Sequence, residues 1–147
     1  MQPNPHILVP EGGKQMSKDN HNLCQQFAQI LNGTILNQDP CTVLRLRNID
    51  AEILGRPSQS SLTRGALFSF ESPDGQGRTL NLGETVILQD EINPFISKLR
   101  ERNIIVTALH NHWLFDEPRL FYIHFESIDQ PLDFAKKAAE SFQVLQD

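Results

Sequence analysis

The chain has 147 residues, 18 acidic and 13 basic, for a formal net charge of −5. That length suits one domain able to fold without a metal or disulfide, and the acidic balance argues against nucleic-acid binding, which needs clustered Lys and Arg. With 39% hydrophobic and 21% charged residues the chain is not a disordered one, and no apolar run approaches the roughly 18 residues of a transmembrane segment.

Met1 to Gln15 holds three prolines, two glycines and one short apolar run, Ile7-Leu8-Val9. A secretory leader needs a basic start and an apolar stretch of about 7–15 residues. Neither is present, so the chain reads as cytoplasmic, or as an envelope or secreted form whose leader was removed. Residues 1–16 are expected to form a flexible arm, and 17–147 a single domain. Cys24 and Cys41 make no CxxC pair, and two reduced thiols are favoured over a structural disulfide.

From Ser17 the spacing predicts a helix, with Leu23, Phe27, Ile30 and Leu31 as its apolar stripe. Ser17 or Asp19 can cap its start, and Gly33 can supply the left-handed residue at its end. Cys41 to Arg47 reads as a strand with Val43, Arg45 and Arg47 on one face and Leu44 and Leu46 on the other. A short strand over Ala51–Leu54 and a loop over Gly55–Ser61 follow. Gly65–Glu71 is a strand with Ala66, Phe68 and Phe70 on one side. The run Ser72-Pro-Asp-Gly-Gln-Gly-Arg78 has turn chemistry, and Thr79–Leu88 resumes as one or two strands, broken or bulged near Gly83. Ile92, Phe95, Ile96 and Leu99 predict a helix with Pro94 in its first turn and Asn103 as its stop. Ile104–His112 and Leu120–Glu126 form a hairpin. A last helix, capped by Asp129 and with Pro131 in its first turn, has Ala135, Ala138, Phe142 and Leu145 as its stripe. The order implies an α+β fold: a mixed, mostly antiparallel sheet with helices on one face, ending in an α-β-β-α unit.

Three of the five histidines, His110, His112 and His124, fall within fifteen residues. His110 and His112 are two apart on a strand and therefore share a face. Paired imidazoles suit a divalent metal such as zinc, an anion clamp or a proton relay. What joins them depends on register: with His112 opposite Arg119 those two share a face, and with His112 opposite Leu120 it is Tyr122 and His124 that join. Arg119 can hold a carboxylate or phosphate, or simply fasten the loop by pairing with Asp116 or Glu117. Trp113 and Phe115 are either a lid or a hydrophobic plug. Asp90 and Glu91 sit in a first helical turn, where acids suit the macrodipole; the functional alternative makes Glu91 a third metal ligand or general base.

The segments Val86-Ile-Leu-Gln-Asp-Glu-Ile-Asn-Pro-Phe95, Val106-Thr-Ala-Leu-His-Asn-His112, Asp116-Glu-Pro-Arg119 and Phe121-Tyr-Ile-His-Phe125 resemble the LppY/LpqO family, small bacterial domains of no established function named after mycobacterial lipoproteins. The resemblance covers about residues 84–142 and implies that Asp90, Glu91, His110, His112, Glu117, Pro118, Arg119 and His124 form a site. The chain as read shows neither the leader nor the lipid-attachment cysteine of the lipoprotein members.

Three functions follow. The first is a binding module in which His110, His112, His124 and Glu91 hold a divalent metal, or Arg119, Glu117 and Asp90 hold a small anionic ligand. The second is a metal-dependent hydrolase using the same histidines; neither a Ser-His-Asp nor a Cys-His arrangement has a supporting motif. The third is an interaction domain with structural histidines, for which a second copy of the chain is a candidate partner.

Overall fold

Residues 13–114 and 117–146 are described in a computed structural model of the chain. The expected arm, up to residue 12, lies outside the described residues, as do Phe115 and Asp116. Helix α1 (Gly13–Leu31) begins ahead of Ser17, so Ser17 and Asp19 lie within it. Its end also differs from expectation. Asn32, at φ 55°, takes the left-handed conformation, and the Gly33 N–H donates to Ala28 O at 2.9 Å, the return bond of a Schellman-type stop. Gly33 is needed for close approach instead: a Cβ there would lie 2.4 Å from Val43 Cγ1 and 2.8 Å from Leu44 O.

Strands β1 (Thr34–Gln38), β2 (Cys41–Leu46), β5 (Gly65–Glu71), β6 (Thr79–Leu88), β7 (Ile105–Asn111) and β8 (Leu120–Asp129), in the order β1-β2-β5-β6-β8-β7, build one sheet. Each neighbouring pair is antiparallel. Between β2 and β5 the chain makes a small hairpin, β3 (Ala51–Ile53) and β4 (Arg56–Ser58), and a single-turn helix α2 (Ser61–Arg64). A 3-10 turn leads into α3 (Ile92–Glu101), and α4 (Pro131–Ser141) follows β8, completing the α-β-β-α unit. Asn103, at φ 60°, ends α3 as expected. Asp129 does not cap α4; Gln130 holds that position, while an Asp129 carboxylate oxygen pairs with Lys137. Both edge strands carry a one-residue irregularity, at Leu36 in β1 and at Thr107 in β7.

Helices α1, α3 and α4 cover one face of the sheet. The core between them is built from Phe27, Phe68, Phe70, Phe95, Phe125, Phe134 and Phe142 with aliphatic neighbours, so burial of aromatic area dominates its stability. The stripe expected for α4 is buried throughout. Strand β6 runs unbroken past Gly83, which pairs with Phe125. A Cβ at Gly83 would lie 2.2 Å from the Phe125 ring. Glycine is there to seat the ring, not to break or bulge the strand.

Cys24 of α1 and Cys41 of β2 form a disulfide, with their Cα atoms 5.6 Å apart and both residues buried. This corrects the expectation of reduced thiols. Spacing alone could not reveal it, because only the packing of α1 against β2 brings the two together.

Candidate functional site

Among the described residues, the opposite face of the sheet carries no long helix. One end is covered by the β3–β4 segment, where Ile49 and Ala51 pack on Val86, Leu120 and Tyr122, with Leu88 and Trp113 at the margin. Trp113 is therefore a plug, edge-on to His112 with ring centroids 5.2 Å apart. Its Nε1 is buried without a hydrogen-bond partner among the described residues.

The hairpin takes the second of the two registers. His110 pairs with Tyr122, and the His112 N–H donates to Leu120 O at 2.8 Å. His110, His112, Tyr122 and His124 consequently share the face opposite α1, α3 and α4, and strand β6 adds Glu84 directly opposite His124. His110 Nε2 lies 2.9 Å from His124 Nε2. The other nitrogen of each ring faces an oxygen: His110 Nδ1 is 3.1 Å from Asn111 O, and His124 Nδ1 is 3.3 Å from Glu84 Oε2. A carbonyl or carboxylate oxygen can only accept, so both Nδ1 atoms carry hydrogen. With both rings neutral, two lone pairs would then face one another across the 2.9 Å gap. A hydrogen on either Nε2 turns the contact into a hydrogen bond between the two rings.

His112 is not part of this pair. Its Nε2 donates to Leu62 O in α2 and its ring stacks on Tyr122 with centroids 4.2 Å apart. It clips the covering segment to the hairpin. The Tyr122 hydroxyl does similar work, donating to Gly65 O at 2.8 Å; burial and the nearby Glu84 charge push its pKa up to about 12, so it remains a donor.

Glu91 is also elsewhere. Its Oε1 accepts from Arg47 Nη1 at 3.0 Å and Leu88 N at 2.9 Å, and its Oε2 from Arg47 Nη2 and Gln146 N, both at 2.8 Å. Arg47 is fully buried and Glu91 is 2% exposed. Burial pushes the Glu91 carboxyl up, but these hydrogen bonds and the Arg47 charge outweigh it and hold the group below its ordinary value. A carboxylate so filled has no lone pair to offer a metal or a substrate proton, which corrects its expected role as ligand or base.

Asp90, Glu117 and Arg119 come together around a shallow surface depression with Leu88, Gln89 and Pro118. Asp90 accepts a 3.3 Å hydrogen bond from Gln146 Nε2. The sequence reading missed Glu84, whose signal was its parity: on an unbroken β6 it falls on the face opposite Gly83 and Thr85. Among the described residues no group of three or more His, Cys, Asp and Glu side chains is arranged to enclose a metal ion.

Fold and site together define a small α+β domain, one face of its antiparallel sheet packed by helices and the other carrying a half-exposed histidine pair. Residues 25–144 match the family described as a Domain of Unknown Function (DUF1259), and the chain belongs to that family. No curated protein and no solved structure matches it, and no described helix is long and apolar enough to cross a membrane.

Proposed function

We propose that the domain is a small binding module that holds a divalent metal such as Zn²⁺ between His110 Nε2 and His124 Nε2. The observation that supports this is the facing pair of nitrogens, each ring with its Nδ1 committed to an oxygen. Zn–N bonds of about 2.05 Å at a tetrahedral angle hold two nitrogens about 3.3 Å apart, a few tenths of an ångström beyond the present gap. Glu84 then orients His124 as the outer carboxylate that metal-bound histidines commonly carry, and Asn111 O does the same for His110.

Two protein ligands leave positions for water or a small anionic donor. Those open positions favour the second reading, a hydrolase in which metal-bound water attacks the substrate. The depression at Asp90, Glu117 and Arg119 has no part in either.

Calorimetric titration with Zn²⁺, with metal analysis after dialysis, tests the proposal. One equivalent is expected in the unaltered protein and in His112→Ala, and none in His110→Ala or His124→Ala. An unaltered protein that takes up no metal, or alanine variants that bind as tightly, overturns it. Turnover of a nitrophenyl ester that needs both zinc and His124 would select the hydrolase.

We further propose that the narrower LppY/LpqO assignment holds, with one domain over residues 17–147 and an arm before it; the ordered Asp-Glu-x-Asn-Pro, Ala-Leu-His-x-His and Glu-Pro-Arg segments support this. The Cys24–Cys41 disulfide supports maturation in an oxidising compartment, favouring the envelope or secreted form over the cytoplasm. Protein isolated under thiol-trapping alkylation is expected unlabelled; two labelled cysteines would place it in a reducing compartment.

A further inference from the structure

A groove of about 360 Å³ crosses the face opposite α1, α3 and α4, beside the histidines, within the range of small-molecule sites. It runs from Thr42 on β2, over Leu67 and Ser69 on β5 and Leu82 and Glu84 on β6, to His124 and Glu126 on β8 and Thr107 on edge strand β7. Four inter-strand steps make that span about 19 Å. Its middle is apolar: Leu67 is half-buried and Leu82 is 38% exposed, more than a β6 side chain packed on the helix side retains. Its β8 end is acidic, with Glu84 and Glu126 diagonal neighbours on adjoining strands. None of its described lining residues is a lysine or an arginine.

We infer that this groove binds a small amphipathic organic cation, an ammonium group joined to a short aromatic or aliphatic body. The charge pattern selects the ligand. A carboxylate-bearing ligand would meet Glu126 and Glu84 with no lysine or arginine in the described lining to neutralise it, and with His124 already facing Glu84 at 3.3 Å; like charges brought together out of water repel. An ammonium donates to acceptor-only carboxylates in charge-assisted hydrogen bonds. The body of the ligand then covers Leu67 and Leu82 and removes their exposed area from water. Glu126 is the main anchor, since Glu84 already faces His124 at 3.3 Å. The inference stands on the groove and not on the metal. The histidine gap lies toward His110 and Tyr122, on the other side of His124 from Glu126.

The test is a titration of the chelator-treated protein with 2-phenylethylammonium, read by the methyl NMR signals of Leu67 and Leu82. The acid of similar shape, 3-phenylpropanoate, and the neutral 2-phenylethanol serve as comparisons. Saturable shifts are expected with the amine alone, weakened by about tenfold in Glu126→Gln, the order lost with one charge-assisted hydrogen bond. In Glu126→Lys the preference should turn toward the acid. Equal binding of acid and amine, an amine affinity unmoved by Glu126→Gln, or no saturation by about 10 mM overturns the inference. Because metal is withheld, each outcome is independent of whether His110 and His124 bind zinc.

Discussion

Glu91 and Glu84 each face a nitrogenous partner, and they are not equivalent. Glu91 is buried against Arg47 with four donors on its two oxygens. Glu84 is 30% exposed at the side chain and faces one histidine nitrogen. The first has no capacity left and ties β2's end, α3's start and the C-terminal residues together. The second sits beside a groove and can still respond to what arrives. Burial with complete partnering marks a structural carboxylate; partial exposure leaves lone pairs free to accept a further hydrogen bond.

Substitutions can break or sharpen this contrast. Glu91→Gln leaves the Arg47 charge buried without its counterion and should cost about 3–5 kcal/mol, read as a lowered midpoint in urea unfolding. Zinc uptake by the fraction that remains folded should be unchanged. The same group gives a pH signature. Its folded pKa lies below its ordinary value, so its stabilisation is present at neutral pH and lost as pH falls through the lowered folded value. Urea midpoints measured across acidic pH should drop in the unaltered protein and flatten in Glu91→Gln. Tyr122 acts in the opposite direction: with a folded value of about 12, its contribution is complete below pH ~10 and lost as pH rises through that window.

Replacing Cys24 and Cys41 together by serine opens a cross-link between residues 17 apart in sequence, which should cost about 3 kcal/mol. The midpoint should fall to the same extent in the unaltered protein under reductant. Glu84→Gln should move stability by less than about 1 kcal/mol while weakening zinc about 10–100-fold by calorimetry, as loss of an orienting carboxylate does. The smallest effect on zinc binding is expected from His112→Ala. Losing its bond to Leu62 O should cost about 1 kcal/mol, with faster amide exchange confined to residues 61–65 and zinc binding intact.

Much of the fold is legible in the sequence because periodicity reports burial. The stripe of α4 and the Ala66-Phe68-Phe70 alternation of β5 each mark the face that meets the helices. Strand β1 is not legible, since as an edge strand it leaves most side chains exposed and shows no alternation. The same limit governs the site. His110 and His112 share a face by local geometry, yet proximity to His124 depends on a register set by β7–β8 pairing, and proximity to Glu84 on β6 lying next to β8. Glu91 misleads for a related reason: its partner Arg47 is 44 residues away, and a lone acid at a helix start looks the same whether it is satisfied or free.

The irregularities at Leu36 and Thr107 bear on how the protein behaves in company. A sheet with straight outer strands is a template onto which another chain can zip, hydrogen bond by hydrogen bond. Here each rim has one residue out of step, so an added strand loses its ladder after a few bonds. The two open edges are thus poor templates, and copies crowded together are expected to resist strand addition at their margins.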